Sequence, residues 1–452
     1  MGKGGGGMAT DKNGNHIKGT KKQLPDGWVT GAFHFAVFPT DEQKPRLERA
    51  FGCERKVYNE YVAGLYAHLE SIGFSGGFLA YNVPNYTTIT SRFDFLDRSN
   101  DSFVYNDAKI RFQAAIKKYN ETYAKRPLQY KKSVRKKMKT GDMPSLQDVK
   151  GLPKFHSRKQ GKFSYTTNQT NGNIRIGEKG GATFLRIPKF PEGLRLNLHR
   201  ALPSDGIIKK ATIKREGTRY IVSISVDYPF EKAPLKTHVA AAAVTALDYS
   251  QSDLYIDSEG RKAEYPCFHK LIEKRQRRLN KSLARKKTHA PLDENGQPVY
   301  SKNYQRTVTN YQKTMAKAAN QRKDFLHKKS DQITNDYDAI VVEDLDLTNL
   351  AQCLKLGKKL HDNGFGMFRT MLKYKAERKG KHYIVADRFF PSSKLCSACG
   401  TKKENLRLSE RTYTCAHCQA MIDRDHNAAL NLKNYGIRTL SDLGFLADPV
   451  SS

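Results

Sequence analysis

The sequence predicts an α+β protein with several domains, and three observations support this prediction. Its 452 residues are more than the roughly 150 that one domain usually needs. Stretches with apolar residues at three- and four-residue steps indicate helices, and short alternating stretches between Gly, Pro and Asn indicate strands. The apolar share of 38% and the aromatic share of 10% are enough for packed cores. They exclude a disordered basic tail protein.

The charge balance indicates a polyanionic partner. The chain has 79 Lys and Arg residues against 45 Asp and Glu residues, a formal charge of +34. A free monomer this basic repels itself, and nucleic acid is the commonest polyanion that relieves such repulsion. A merely soluble basic enzyme and a membrane-surface protein are the alternatives.

We expect the protein to lie in the cytoplasm, without a membrane segment. No run of about 18 apolar residues is available to span a bilayer, and the first residues lack the apolar core of a secretory signal. The seven cysteines are odd in number, and four of them form two close pairs. This usage favours a reducing compartment and a metal site over a disulfide framework.

The N-terminal part of the chain predicts a leader, a strand and a helical domain. Residues 1–27 have no periodicity and are interpreted as a flexible leader. Residues 29–38 alternate as in a strand, and a helix with apolar three- and four-residue steps opens at Asp41. A second helix covers about 106–123. Residues 41–125 are therefore expected to form a helical domain inserted after the first strand.

The second helix carries predictions about burial and binding. Ile110, Phe112 and Tyr119 are expected on one buried face. Arg111 and Gln113, on the same helix, are candidates for contact with a nucleic-acid groove. The very basic stretch that follows, 125–165, is interpreted as a linker or a phosphate-facing loop.

The hydrophobic pattern of the sequence changes over residues 163–230. Short alternating segments, separated by Gly, Pro and Asn, follow one another through this region. The pattern is typical of a small β-barrel or β-sandwich. Several of the polar faces carry Lys and Arg.

The chain from Val239 onward predicts a mixed domain. A buried strand, a tight connection, a second strand and a turn at Gly260 into a third strand come first. Helical periodicity then indicates a long hairpin over 267–330. Further elements are the strand 338–347, the helix 368–380, the strand 382–387 and a final helix that opens within 422–436.

The predicted hairpin is strongly basic. From Lys270 to Lys329 it has 17 Lys and Arg residues against four acids. A solvated helix face is the plain interpretation of a charge run, but such faces usually mix both signs. We therefore predict nucleic-acid contact here, with Arg275, Arg278 and Arg285 as candidate residues.

Four cysteines predict a zinc site. Cys396 and Cys399 form one C-x2-C pair, and Cys415 and Cys418 form a second pair after fifteen residues. This spacing matches a zinc ribbon, in which each pair sits on a tight turn and four thiolates close a tetrahedral site. Because no coordination position stays open, the metal should be structural. His417 could donate in place of a neighbour, although its spacing is less usual.

Three acidic residues stand where a divalent-metal site could form. Asp248 ends one apolar strand, Glu343 ends another, and Asp425 precedes the last helix with Asp423 two residues before it. A carboxylate at the tip of a buried strand is costly unless it pairs with a cation or reaches a cleft. Carboxylates suit Mg²⁺ or Mn²⁺. Two such ions would activate a water and steady the leaving oxygen of a phosphodiester.

Each acid also has a plain structural alternative. Asp248 could cap a turn, Glu343 could pair with a core lysine, and Asp425 could be the N-cap of the last helix. The order of the elements favours the metal site over these alternatives. A strand ending in Asp, a hairpin, a strand ending in Glu and a late Asp at a helix start are the layout of an RNase H-like fold.

The motifs around these residues resemble the TnpB family of transposon-encoded RNA-guided nucleases, which is related to compact type V CRISPR effectors. The segments that carry the resemblance are ALDYS, VVEDLDLTNL, ADRFFPSSKLCSACG, TYTCAHC and IDRDHNAALNLKNYG. The run from Gly366 to Gly436 is the most specific part, and weaker similarity covers nearly all of the rest. The motifs suit both a transposon-borne nuclease and a compact CRISPR effector.

The resemblance implies a domain order. It implies a wedge β-barrel from 28–40 and 155–238, interrupted by a helical recognition domain and basic linker over 41–154. It also implies a RuvC-like nuclease domain from 239–394 and 420–452, with the zinc ribbon, 395–419, inserted in it. The active acids would be Asp248, Glu343 and Asp425, since Asp425 precedes Asn427 in the stretch that matches the family.

The resemblance also implies partners and a mechanism. A guide RNA would pair with target DNA beside a short flanking motif, and one Mg²⁺-dependent site would cut the single strands in turn. Arg388 and Lys394 flank the ribbon and could hold substrate phosphates. Monomer and homodimer on the RNA stay open, and the cell would be bacterial or archaeal. The competing hypotheses are a guide-independent structure-specific nuclease and a non-catalytic zinc-ribbon regulator that binds nucleic acid.

Overall fold

A computed structural model describes residues 24–74, 76–125, 145–157, 163–250, 253–345, 362–407 and 410–447. The chain forms two compact units that divide between Phe230 and Glu231. Most of the predicted leader and most of the basic stretch 125–165 lie outside the described residues. No helix of the described ranges is both long enough and apolar enough to cross a bilayer.

The described residues of the first unit form one antiparallel sheet and three α-helices. Its sheet has seven strands in the hydrogen-bonded order β2-β6-β7-β1-β5-β4-β3. The strands are β1 (Trp28–Phe38), β2 (Ser164–Asn168), β3 (Arg175–Lys179), β4 (Ala182–Ile187), β5 (Phe190–Asn197), β6 (Ile207–Glu216) and β7 (Arg219–Pro229). The helices are α1 (Gln43–Ser71), α2 (Tyr86–Thr90) and α3 (Ser102–Lys125). The helices therefore follow β1 and precede β2, as the sequence predicts.

The apolar face of α1 explains why this helix forms and where it packs. Leu47, Phe51, Val62 and Leu65 recur at helical steps, and all four are fully buried in the core of the first unit. The prediction for α3 is confirmed for Phe112 and Tyr119 but is wrong for Ile110, whose side chain is 49% exposed. Residues two positions apart on a helix point about 200° from each other, so Ile110 and Phe112 cannot share a face.

The second unit contains a mixed sheet between helices. Its four-stranded sheet has the order β11-β10-β8-β9, in which β10 is parallel to both β8 and β11, and β9 is antiparallel to β8. The strands are β8 (Val244–Ser250), β9 (Leu254–Asp257), β10 (Ala339–Glu343) and β11 (His382–Ala386). The helices are α4 (Phe268–Thr288), α5 (Lys302–Asp336), α6 (Phe365–Arg378) and α7 (Arg424–Asp442). Beyond Gly260 the predicted third strand is wrong, since only a single bridge from Ile256 to Lys262 forms there.

The two faces of this sheet bury different helices. Leu247 and Val342 point to the face covered by α5 and α6. Ala246 and Val341 alternate with them and point to the opposite face, where Leu432 of α7 packs. The near-continuous apolar sequence of β8 and β10 follows from this burial on both faces.

The predicted hairpin is present as α4 and α5. Among the described residues of α4 none is fully buried, and its Ile272, Leu279 and Leu283 are half-buried. On α5 the most buried seam positions are Thr307, Thr314 and Ala318, which are short side chains. The two helices of the hairpin therefore contact each other mainly through small or half-buried side chains, and most of the hairpin surface is exposed to solvent.

A glycine decides how closely α7 approaches the sheet. A Cβ at Gly436 would overlap the side chain of Val341 in β10. The backbone of α7 can therefore lie directly on the strands only because this position has no side chain.

We predict that Gly436→Ala destabilises the second unit by about 1–3 kcal/mol, because the helix must move away from the sheet. Gly52→Ala in α1 is the matched control, since its nearest neighbour would be the Arg55 guanidinium at 3.9 Å. Alanine there should be neutral or stabilising by up to about 1 kcal/mol. Thermal unfolding checks both variants, and equal midpoints for the two would contradict the close packing of α7.

Candidate metal centres

The pairing of β8 with β10 brings two of the predicted acids together. Val342 lies beside Leu247 in the parallel ladder, so Glu343 and Asp248 come next on neighbouring strands. Side chains alternate between the faces of a sheet, and both acids therefore point to the face covered by α7. Asp248 is buried, and Glu343 is half-buried at the end of its strand.

The start of α7 brings the third acid to the same face. Asp423 is the N-cap of this helix, and its side chain accepts hydrogen bonds from the backbone N–H groups of Asp425 and His426. The alternative in which Asp425 is the cap is therefore wrong. Asp425 lies in the first turn, where its carboxylate contacts Arg424 at 3.4 Å.

The electrostatics indicate that the three acids interact. Burial raises the pKa of Asp248 well above its ordinary value, and the carboxylates of Glu343 and Asp425 raise it further. Arg424 acts in the opposite direction. Burial also raises the pKa of Glu343, against the hydrogen bond from Ser392. A divalent cation would remove this repulsion, which is the behaviour expected of a metal-binding carboxylate set.

The three acids are more widely spaced than the ribbon cysteines. Among the described residues, the four ribbon cysteines are the group of three or more ligand side chains whose ligand atoms all lie within 4.8 Å of one another. The three carboxylates are therefore spread more widely than the ligands of one compact site.

A hydrogen-bond network holds Glu343, and sequence reasoning missed it. The Ser392 hydroxyl donates to the Glu343 carboxylate. The buried side chain of Asn431 donates to the backbone carbonyls of Ser392 and Leu395, at 2.8 Å each. Asn427 donates to the same Leu395 carbonyl at 2.7 Å. The signal that could have found it is two asparagines four residues apart on the buried face of α7.

The four cysteines converge as predicted. The Sγ atoms of Cys396 and Cys418 lie 3.5 Å apart, and those of Cys399 and Cys415 lie 3.6 Å apart. His417 is exposed and is outside the group. Four thiolates at this spacing fit one tetrahedral zinc ion.

Two matched turns hold these cysteines. In the first turn, the N–H of Gly400 donates to the Cys396 carbonyl, and Gly400 has a φ of +75°. In the second turn, the N–H of Gln419 donates to the Cys415 carbonyl, and Gln419 has a φ of +57°. The sequence predicts the first turn from its glycine, whereas the second uses a residue that rarely adopts this conformation.

Neighbouring groups favour the thiolate form of Cys399 and connect the turns. Hydrogen bonds from the side chain and the backbone of Thr401 lower the pKa of Cys399 to about 5. The Tyr413 hydroxyl donates to the backbone carbonyl of Lys394, and the Lys394 ammonium donates to the carbonyl of Glu404. Strands β12 (Thr412–Thr414) and β13 (Met421–Asp423) pair beside the cysteines. Since β13 ends where α7 begins, the ribbon continues directly into the acidic site.

The predicted nucleic-acid residues lie in different environments. Arg275, Arg278 and Arg285 are exposed on one side of α4. Arg388 is exposed, and its guanidinium pairs with Asp344 at 2.9 Å, next to Glu343. The same carboxylate lies 3.8 Å from Arg369.

The two candidates on α3 differ from each other. Arg111 pairs with Glu54 at 3.3 Å and Asp107 at 3.1 Å, and donates to Ser164 at 2.9 Å. These contacts give Arg111 a role within the fold. Gln113 is exposed. Their contact with nucleic acid stays a prediction.

The division of roles at the start of α7 predicts a difference between two neighbouring acids. Asp423→Ala should lose about 1 kcal/mol of stability, because two backbone N–H groups lose their acceptor. The amides of Asp425 and His426 should exchange faster with solvent. Asp423→Asn is the control, because asparagine caps helices equally well. Unchanged amide exchange in Asp423→Ala, measured by mass spectrometry, would contradict the cap.

The cysteine cluster predicts the metal content of the purified chain. Wild type should carry about one zinc ion per chain, and Cys415→Ser should lose it, because three thiolates cannot close the site. Cys267→Ser is the control, since this cysteine lies outside the cluster. Atomic emission measures zinc directly. Retention of the full zinc content by Cys415→Ser would exclude the four-cysteine site.

Three family models match the chain. Residues 365–432 match a Cas12f1-like TNB domain, residues 227–354 match a probable transposase of the OrfB type, and residues 29–65 match a helix-turn-helix domain of OrfB proteins. In this structure the last of these ranges contains β1 and most of α1, which are a strand and one continuous helix.

Individual proteins give the same assignment. A protein of Streptomyces pristinaespiralis that carries the name RNA-guided DNA endonuclease is 28% identical over 414 residues, which is 90% of each chain. A TnpB-like protein of Acanthamoeba polyphaga mimivirus is 29% identical over 128 residues, 27% of this chain and 24% of that protein. A Cas12f1 complex with sgRNA and target DNA has a similar fold, with a TM-score of 0.51 at 12% identity over 90% of this chain and 99% of that chain. The chain is thus similar to OrfB-type and TnpB-like proteins in sequence and to a Cas12f1 complex in fold.

Proposed function

We propose that this protein is an RNA-guided DNA endonuclease. A guide RNA pairs with target DNA next to a short flanking motif, and a single RuvC-like site hydrolyses phosphodiesters of both strands in turn. The observation that carries this proposal is the meeting of Asp248, Glu343 and Asp425 on one face of the second unit's sheet. Three separate elements of the chain bring these acids to the same face.

The acidic site fits a phosphodiester hydrolase. Asp248, Glu343 and Asp425 would hold Mg²⁺ or Mn²⁺, which would activate the attacking water and stabilise the leaving oxygen. Asp248 interacts with both of the other acids, since the carboxylates of Glu343 and Asp425 each raise its pKa. Ser392 orients the Glu343 carboxylate through its hydroxyl. The sheet that carries Asp248 and Glu343 is apolar on both faces. This burial fixes the strand register and therefore the position of these two acids.

The fold supports a more detailed domain assignment. The sheet of the second unit, with β8 flanked by an antiparallel β9 and a parallel β10, has the strand arrangement expected of a RuvC-like domain. The seven-stranded sheet of the first unit corresponds to the wedge barrel, and α1 to α3 correspond to the helical recognition insertion. The likeness in fold to the Cas12f1 complex supports both assignments.

The guide and the DNA are proposed from charge and from relatives. A charge of +34 is more than a short duplex requires and is reasonable for RNA together with double-stranded and single-stranded DNA. The exposed arginines of α4 lie on a surface that could follow a phosphate backbone. The relative from Streptomyces pristinaespiralis, named for RNA-guided DNA cleavage, matches along 90% of its length.

The zinc ion is proposed to be structural. Four thiolates leave no open coordination position for a water or substrate. Asn427 connects the first cysteine turn to α7, because its amide oxygen accepts the Ser397 N–H at 2.9 Å. The ion would therefore hold the ribbon against the helix that carries Asp425. A place in the cell interior, without a membrane, agrees with these partners.

The guided mechanism is tested with the purified full chain and the RNA that accompanies it. We expect a raised absorbance at 260 nm that RNase removes, together with Mg²⁺-dependent cutting of DNA that matches the sequenced RNA. Replacing the guide segment should redirect cutting to a new target. Specific cutting by RNA-free protein would favour a guide-independent nuclease. RNA or DNA binding without any cutting would favour a non-catalytic regulator.

The acid assignment predicts a loss of activity without a loss of folding. Asp248→Asn and Glu343→Gln should each reduce the cleavage rate by about 10³-fold or more, since each removes several kcal/mol of transition-state stabilisation. Their metal-free unfolding temperature should stay the same or rise. Burial raises the pKa of both carboxyls, so their charge destabilises the metal-free fold.

Asp425→Asn should lose cleavage activity to a similar extent, whereas the neighbouring Asp423→Asn should keep its activity. Cleavage rates and thermal unfolding are measured on the same preparations. Full activity in Asp248→Asn and Glu343→Gln would exclude the acid assignment.

A further inference from the structure

The side chain of Phe389 is unusually open to solvent. It is 87% exposed, and the next most exposed large apolar side chain among the described residues, Met421, is 73% exposed. Single exposed apolar residues are common on protein surfaces. The position and the support of Phe389 distinguish it from the others.

The turn that carries Phe389 is held by several contacts. The N–H of Phe389 donates to the Asp387 carboxylate at 2.8 Å, and the N–H of Phe390 donates to the Asp387 carbonyl at 3.1 Å. The ring of Phe390 packs against Tyr435 of α7, with ring centres 4.9 Å apart. Arg388 is tied to Asp344 at 2.9 Å. The ring of Phe389 is therefore exposed by an ordered turn.

This turn is attached to the candidate nuclease site at both ends. Before it, Ala386 of β11 lies directly beside Glu343 in the parallel ladder. After it, Ser392 donates its hydroxyl to the Glu343 carboxylate. Phe389 thus lies at the middle of a short loop whose two ends both contact Glu343.

The groups around Phe389 indicate which class of ligand its ring could bind. A flat apolar ring next to a phosphodiester-cleaving site, in a chain of charge +34, fits a ligand with both phosphates and flat aromatic faces. A nucleobase has such a face, and stacking on an aromatic side chain tolerates any base sequence. Bases are free to stack in this way only in single strands.

We propose that Phe389 is a stacking platform for one base of the single-stranded DNA that enters the nuclease site. The stacked base fixes the register of the strand and holds the neighbouring phosphodiester at the acids. The proposal rests on the proposed nuclease function for its substrate. It assigns Phe389 to substrate binding and gives it no part in the chemical step.

The first test measures stacking without cleavage. The full chain carrying Asp248→Asn is mixed with a DNA oligonucleotide that contains 2-aminopurine, whose fluorescence falls when the base stacks. We expect quenching at one position of the bound strand, its loss in Phe389→Ala and its return in Phe389→Trp. Equal quenching with Phe389→Ala would overturn the proposal. Quenching that occurs when 2-aminopurine is placed in an RNA oligonucleotide, but not when it is placed in DNA, would also overturn it.

The second test measures cleavage of single-stranded DNA. Phe389→Ala should raise KM by about ten- to a hundred-fold with little change in kcat. An abasic nucleotide at the stacked position should abolish the difference between wild type and Phe389→Ala. A loss in Phe389→Ala that persists on the abasic strand would show a structural role instead. Leu443→Ala is the control, since Leu443 is a 62% exposed apolar residue beyond the C-terminal end of α7.

The two tests separate this proposal from the proposed function. If wild type does not cut DNA but quenching depends on Phe389, stacking holds and the nuclease function fails. If wild type cuts DNA and Phe389→Ala has the same KM, the nuclease function holds and stacking fails.

Discussion

The parallel ladder between β8 and β10 is the interaction on which the rest of the second unit depends. It places Val342 beside Leu247, so the next residues, Glu343 and Asp248, are neighbours on one face. A slip of one residue in either strand would turn its acid to the opposite face, among apolar side chains of α5 and α6. Burial on both faces prevents this slip, because every side chain of the strand would move to the wrong environment. The burial of apolar side chains thus fixes the strand register, and this register brings two carboxylates together although they repel each other.

Helix α7 connects this ladder to the zinc ribbon. Gly436 allows the helix to lie directly on Val341, and Asp423 rather than Asp425 caps its first turn. Asn427 and Asn431 bind the segment that leads into the first cysteine turn. The ribbon, the cap and the acid therefore form one connected structure. Through this connection, a metal ion bound by the cysteines would stabilise the position of the acids without taking part in the proposed reaction.

The basic side chains of the second unit differ in their surroundings according to their distance from the acids. The exposed arginines of α4 are available to a polyanion, whereas the basic side chains near the acids are engaged. Arg388 pairs with Asp344 and Arg424 contacts Asp425, so the cations closest to the site are already balanced by carboxylates. The carboxylates of Glu343 and Asp425 still raise the pKa of Asp248, and a divalent ion would relieve this repulsion. The protein can thus combine a strongly basic surface with a small acidic centre.

The sequence by itself predicted most of the secondary structure, the four clustered cysteines and the position of the acids at the ends of elements, because each depends on local patterns or spacing. Helical steps in α1, the C-x2-C pairs and acids at the ends of apolar strands are all readable along the chain. The tertiary structure alone decided which acid caps α7, that Ser392 holds Glu343, and that Phe389 is exposed beside the site. It also placed Ile110 in solvent and reduced the strand after Gly260 to one bridge. These features depend on contacts between residues far apart in the chain, and a hydrogen bond or a buried face exists only once the elements have packed.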